Sequence, residues 1–457
     1  MRRSRLFLPL YMLLSACVPM ASSDMPTRAA SLESTLPVMK TFSQPRPLPA
    51  ARSNTDIARD FIDLHFQLES GRPLPRLTRF EGPIGVRVTG DAPAQLDRDL
   101  KQLLHRLRSE AALDIRQVTP DAPAAVTIEA ISSAEIRRAL PMAACFVVPN
   151  VTSLADYKRK RRSGKLNWAQ LQQRTTVAIF VPNDTTPQEM RDCLHEELAQ
   201  ALGPLNDLYR LPDSVFNDDN VHTVLTGFDM LILRATYDSA LRSGMDRASV
   251  AARLPAILAR LNPRGAGIGT NRQSRTPRAW IEAVQEALGP GARHSQRRTA
   301  ATRALKIAAA MGWQDHRRAF SHYAMGRILL ISDPDQARAE FEAADWFYRM
   351  SPATELHLAY VASQLGALEL TRGRPDQTLA LVAPHFDTAA RHENAALLST
   401  LLLLRAEALD LTGRVSEARE VRMDSLGWAR YGFGADWAVR AKLREIAALN
   451  PLKGPRG

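Results

Sequence analysis

The stretch Thr186-Pro187-Gln188-Glu189-Met190-Arg191-Asp192-Cys193-Leu194-His195-Glu196-Glu197-Leu198-Ala199-Gln200-Ala201-Leu202-Gly203-Pro204 decides how the chain is read. Thr186 stands as an N-cap, with Pro187 at the first helical position and Glu189 where a capping box needs it. Gly203-Pro204 stops the helix. At about 100° per residue, Cys193, Glu196, Glu197 and Gln200 lie within about 100° of one another. Leu194, Leu198, Ala201 and Leu202 fill the remaining arc and are predicted to face a core, with His195 pointing the same way. A polar edge carrying a cysteine on an otherwise apolar helix reads as one wall of a cleft.

Upstream, Ile84, Val86 and Val88 alternate with Gly85 and Arg87, the pattern of a half-buried strand. Asp91-Ala92-Pro93 opens a helix striped by Leu96, Leu100, Leu103, Leu104 and Leu107. Val126, Ile128 and Ala130 alternate again, as do Val177, Ile179 and Val181, and Cys145-Phe146-Val147-Val148 is a compact apolar run. Strand, helix, several strands, helix is an α+β order with a mixed sheet. Downstream, Asp218-Asp219 suits either a cation site or a helix start or turn. Asp229, among Phe228, Met230, Leu231 and Ile232, is either a buried, hydrogen-bonded acid near the cleft or an exposed face residue.

The helix resembles that of metzincin zinc peptidases, H-E-x-x-H-x-x-G-x-x-H, in which three His bind zinc and the Glu is the general base. Here Glu196, Glu197, Gln200, Gly203 and Asn206 occupy those positions. The resemblance implies a degenerate zincin-like fold: the base position, Glu197, and the glycine turn are kept, and every His is replaced. Gln and Asn amides are poor zinc ligands, so neither a metal nor another cofactor is expected. A second resemblance is wider. Cys193-x-x-Glu196-Glu197-x-x-Gln200-x-Leu202-Gly203, Asn206-Asp207 and Ser214-x-Phe216-x-Asp218-Asp219 look like domain of unknown function 2927, a family of bacterial envelope proteins. Ser425-Leu426-Gly427-Trp428-Ala429-Arg430-Tyr431-Gly432-Phe433-Gly434 is similar to the C-terminal end of those lipoproteins. This resemblance implies an architecture and no established activity.

The N-terminus reads Met1-Arg2-Arg3-Ser4-Arg5, nine apolar or Pro residues from Leu6 to Leu14, then Ser15-Ala16-Cys17. A basic region, a short apolar run and small residues make a secretory signal, and the run is far short of the ~20 residues that span a bilayer. Leu14-Ser15-Ala16-Cys17 resembles the lipobox of bacterial lipoproteins, which implies cleavage before Cys17 and lipid on it. Val18 in place of Asp favours the outer membrane over the inner. Six prolines among Ser, Thr and Ala in residues 18–52 suggest a disordered tether. In an oxidising periplasm the remaining thiols, Cys145 and Cys193, are expected to bridge, the alternative being two separately buried thiols.

From about residue 299 the chain is read as wholly helical. Asp333-Pro334-Asp335-Gln336-Ala337, Gly373-Arg374-Pro375-Asp376-Gln377-Thr378 and Gly413-Arg414-Val415-Ser416-Glu417-Ala418 recur, with Ala337, Thr378 and Ala418 spaced 41 and 40 residues apart. Each follows an apolar helix with a small residue on its packing face: Gly326, Gly366 and Ala406. This is the pattern of tetratricopeptide-like helical hairpins, whose stacks hold peptides or partner proteins. Trp313, Trp346, Phe347, Tyr348, His357 and Tyr360 are either groove surface or packing between hairpins. Gly265-Ala266-Gly267-Ile268-Gly269 lacks the preceding strand and following Lys of a phosphate loop and reads as a linker.

The expected organisation is a signal peptide (1–16), a lipidated tether (17–52), an α/β zincin-like domain (53–262), a linker with a short helix (263–298) and an all-α repeat (299–457). Of 457 residues 45% are hydrophobic and 24% charged, which excludes a wholly disordered chain, and three cysteines exclude a disulfide scaffold. The net charge of +12 falls to +9 without Arg2, Arg3 and Arg5. Arg accounts for 52 of the 60 basic residues and is scattered, so no nucleic-acid partner is expected. The one dense run, Lys158-Arg159-Lys160-Arg161-Arg162-Ser163-Gly164-Lys165, suits a solvated loop or contact with anionic lipid. Two functions follow. The first is a non-catalytic, membrane-anchored periplasmic lipoprotein that scaffolds a protein or peptide partner through its repeat. The alternative is a hydrolase of peptide or cell-wall amide bonds, with Glu197 as general base and Glu196, Gln200, Asn206 or Asp207 holding a metal or substrate.

Overall fold

The alternating segments form strands β1 (Ile84–Gly90), β3 (Val126–Ile131) and β5 (Val177–Pro182), the apolar run forms β4 (Phe146–Pro149), and a short strand not anticipated from the sequence, β2 (Ile115–Gln117), completes the sheet. Between and around them lie helices α1 (Asn54–His65), α2 (Ala94–Ser109), α3 (Ser133–Ala139), α4 (Leu154–Lys160), α5 (Pro187–Leu202), α6 (Gly227–Thr236) and α7 (Arg247–Leu261). The computed structural model describes residues 36–43 and 47–453. The signal segment, Cys17 and the start of the tether lie outside the described residues.

The sheet has the order β2-β1-β3-β5-β4. All neighbours run parallel except β4, which is antiparallel to β5 with Val147 opposite Ile179. Every residue of β5 is buried, as a strand covered on both faces must be. On one face Val86, Ile128 and Ile179 meet Leu100 and Leu103 of α2 and Leu194 and Leu198 of α5. On the other, Ala178 and Phe180 meet Ile136, Phe146 and Leu154. The leucine arc of α5 therefore lies on the sheet and its polar edge is turned toward β4.

Helix α5 starts where expected. The Thr186 side chain accepts the Glu189 N–H at 3.1 Å, with Pro187 in the first turn. The Glu189 carboxylate bonds the Thr185 hydroxyl instead of returning to the cap, so one half of the capping box forms. At the other end Gly203 answers to crowding: a Cβ there would stand 2.9 Å from His65 Nε2 and 3.0 Å from Thr236 Cγ2.

The remaining chain is helical, and it begins earlier than the sequence predicted. Helix α8 (Arg278–Leu288), assigned above to the linker, belongs to the helical array, because its Trp280 is fully buried and meets Tyr209 and Trp313 edge-on. The array continues through α9 (His294–Ala310), α10 (His316–Leu329), α11 (Pro334–Arg349), α12 (Glu355–Thr371) and α13 (Pro375–Val382). It ends with α14 (Phe386–Arg391), α15 (Ala395–Leu411), α16 (Val415–Phe433) and α17 (Asp436–Ala447). The three recurring breakers fall at the turns of hairpins α10–α11, α12–α13 and α15–α16. A Cβ on Gly326 would lie 2.7 Å from the Phe341 ring, so that hairpin closes only around a residue without a side chain. Of the six aromatic and His residues named above, Trp346 alone is exposed; the others pack within the array. No helix among the described residues is long and apolar enough to cross a membrane.

The α/β part and the array share one compact unit. Arg191 of α5 and Glu393 form a buried ion pair at 3.1 Å, Gln188 bonds Asn394 and the Ala396 N–H, and the Tyr431 hydroxyl donates to Asp99. The end of the predicted tether is also seated. Phe42 stacks on Trp428 with ring centres 4.6 Å apart, and the Lys40 N–H donates to the Gly427 carbonyl at 3.0 Å. One aromatic ring in a Pro-rich segment is enough to find an apolar step on α16.

Candidate functional site

The polar edge of α5 opens on a cleft of about 590 Å³. Glu196, Glu197 and Gln200 form one wall, and Cys145, Phe146 and Val147 of the β4 segment form the other. A Cys145–Cys193 disulfide, closing 48 residues, ties the two walls together. Trp168 and Leu205 supply apolar surface, while Glu69, Asp207 and Asp218 bring three further carboxyls.

Arg174 fixes the far end of α5. Its buried guanidinium donates to the Ala201 carbonyl at 2.7 Å and the Gly203 carbonyl at 2.6 Å, and also to the Gln200 carbonyl, satisfying the last turn. It lies over the Trp168 ring at 4.9 Å. Burial lowers it to about 10, so it stays charged at neutral pH. On the core side His195 Nδ1 accepts the Leu225 N–H at 3.0 Å. Burial, with Arg106 and Arg191 nearby, keeps that ring neutral and structural.

The carboxyls crowd one another. Burial first, then repulsion from Asp192, Glu69 and Asp218, pushes Glu196 up to about 8. Glu197 is 6% exposed, and burial plus Glu196 and Glu69 raise it well above the usual carboxyl range. Its Oε2 is buried without a hydrogen-bond partner. Asp207 is raised in the same way by burial and by Glu69, Glu196 and Asp218. Burial also raises Asp218, although Gln285 and Tyr209 both donate to its Oδ2 at 3.0 Å. At neutral pH the cleft therefore holds protons that a nearby cation would displace.

Of the residues singled out from sequence, Glu196, Glu197, Gln200 and Asp207 meet in this cleft, and the Cys145–Cys193 bridge forms beside them. Asn206 does not join them: its amide donates to the Asp63 carbonyl at 2.9 Å, because the chain turns over the end of α1 there. Asp229 is the buried, hydrogen-bonded acid and lies elsewhere. It caps α6 through Thr226 and accepts from Ser214 and the Val215 N–H. Asp218 lines the cleft, whereas Asp219 orders its own turn and pairs with His357 at 3.0 Å. Glu69 and Arg174 escaped the sequence reading, since neither carries a local pattern that points to α5.

Among the described residues no three His, Cys, Asp or Glu side chains are arranged to hold a metal. The metzincin frame does not fit zinc here: two of its three ligand positions carry amides, and the Asn206 amide is engaged with α1. The basic run ends α4, where Arg159 and Lys160 pair with Asp156 and the next residues are exposed.

Residues 54–256, from the first turn of α1 into α7, match the family described as Protein of unknown function (DUF2927). Comparison with curated proteins and with solved structures gave no match.

Proposed function

We propose that this chain is a lipid-anchored, non-catalytic binding protein on the periplasmic side of a bacterial envelope, at the outer membrane, which holds a peptide bearing a basic side chain. The lipid on Cys17 attaches it to the membrane, and the tetratricopeptide-like array scaffolds a protein partner beside the cleft. The observation that carries the reading is the unpartnered, buried Glu197 oxygen in a cleft with four further carboxyls. A desolvated carboxyl without a partner is costly, and an ammonium or guanidinium group in the cleft would offset that cost. Strand β4 supports an extended ligand: it is an edge strand whose outer side pairs with no other strand among the described residues, the arrangement used in β-augmentation. The degenerate zincin reading fits the same geometry, with α5 directly after β5 and its polar edge on the cleft.

The test is the binding of fluorescent lysine peptides to the purified full chain. A lysine peptide should bind about tenfold more tightly than its norleucine counterpart, the worth of one charge-assisted hydrogen bond. Glu197→Gln should remove most of that preference. Equal affinity for both peptides would overturn the reading. The hydrolase alternative draws on the same Glu197, because a raised carboxyl in a cleft is poised for proton transfer. Cleavage of peptide or cell-wall amide bonds, detected by mass spectrometry and lost in Glu197→Gln without a change in melting temperature, would establish it instead.

A further inference from the structure

A second charged pocket lies beyond the acidic cleft, and its sign is opposite. Asp63, near the end of α1, receives three guanidinium groups: Arg210 at 3.1 Å on one oxygen, and Arg247 and Arg275 at 3.2 Å each on the other. Asp60 also holds Arg210, at 2.7 Å, so Asp63 is left to Arg247 and Arg275, and one carboxylate cannot neutralise both. Arg272 adds another and has no ion pair or hydrogen bond among the described residues, and Arg59, whose Nη2 lies 3.5 Å from Asp56 and 3.7 Å from Asp60, keeps a buried Nε without a partner. These groups come from α1, the loop after α5, the start of α7 and the extended connection before α8. They surround a cavity of about 450 Å³. Arg247 and Arg275 approach the same Asp63 oxygen through one nitrogen each, which leaves most of both forks free for an incoming anion.

The two pockets belong to one groove. A smaller cavity of about 190 Å³ lies between them. It shares Glu69 and Asp207 with the acidic cleft, and Asp63, Arg210 and Arg275 with the arginine pocket. A ligand lying along this groove meets carboxyls at one end and guanidiniums at the other. Such a field orients a dipolar molecule and disfavours its reverse placement.

We propose that the arginine pocket is the anion subsite of this groove, and that the ligand is a bipolar peptide with its basic side chain among the carboxyls and a carboxylate on the arginines. This rests on the reading of the acidic cleft given above, and the test separates the two. The purified full chain is titrated at low salt with labelled peptides that carry one lysine, two to six spacer alanines (a range set by the chain's reach of about 3.3 Å per residue), and either a free C-terminal carboxylate or a carboxamide. Each has a norleucine counterpart. At the best spacer length amidation should weaken binding about tenfold. In Arg272→Glu/Arg275→Glu, whose side chains are exposed, amidation should make no difference while the lysine preference persists. Indifference to amidation at every length, with the lysine preference intact, overturns the bipolar ligand and leaves the acidic cleft standing. Indifference to both changes overturns both. An equal loss in Lys158→Glu/Arg159→Glu, on the remote basic run, would mean diffuse attraction and would also overturn the subsite.

Discussion

Glu197 shows what a single side chain contributes to the cleft: a buried carboxyl whose charge Glu196 and Glu69 disfavour, with one oxygen unsatisfied. Its neighbour Glu196 gives the pH signature. Between the usual carboxyl range and about 8 the folded chain keeps the Glu196 proton and the unfolded chain has lost it. The unfolded state then binds fewer protons, so this group's contribution to stability falls as pH rises through that window and is constant above it. Glu196→Gln removes the effect. Relative to the parent, the variant should gain melting temperature progressively between about pH 5 and about pH 8, and a pH-independent difference would contradict the assignment. Much of this wall was legible in sequence, because helical spacing alone groups Cys193, Glu196, Glu197 and Gln200. Asn206 was misplaced because it lies in the loop after α5, where no period says which way a side chain turns; Asp229 is buried and hydrogen-bonded as one alternative had it, but only the tertiary fold sets α6 away from the cleft. Glu69 was invisible, as only the tertiary fold brings residue 69 beside residue 207.

At the scale of elements, the cleft depends on how α5 is held against β4. The helix has its N-cap at Thr186, its leucine arc on the sheet, and Arg174 over its last carbonyls. The disulfide fixes the distance between the two walls. Cys145→Ser/Cys193→Ser should lower stability by about 3–4 kcal/mol, from the loop-closure entropy of a loop of this length. A chemical-denaturation midpoint read by Trp fluorescence measures it, and an unchanged midpoint would contradict a bracing role. Four of the five strands, α5 and the hairpin turns were read correctly because each has a strong local signal (alternation or an apolar run, caps, or a Gly/Pro breaker), whereas β2, three residues long, has none. The start of the array was not. Trp280 and α8 declare their allegiance only through Tyr209 and Trp313, contacts that lie far along the chain.

Across the whole molecule, two parts that looked separable in sequence are joined by buried polar contacts. Arg191, five residues from Glu196 on α5, pairs with Glu393 of the array, and removing one member of such a pair leaves an uncompensated charge. His316 and His357 of the array likewise bond Tyr209 and Asp219 in the loop that flanks the cleft. Nothing in the residue pattern of either half announces this, because the partners are more than a hundred positions apart. The array thus supports the loops that carry Asp207 and Asp218, and the groove is a property of the complete fold. Its central chemistry can be counted in protons. Isothermal titration of the full chain with the lysine peptide at pH 7, in two buffers of different ionisation enthalpy, reads the protons exchanged over the whole molecule. A cation entering among carboxyls that hold protons at that pH should release about one proton per peptide bound. Binding with no proton release, or release that persists undiminished in Glu197→Gln, would contradict the account.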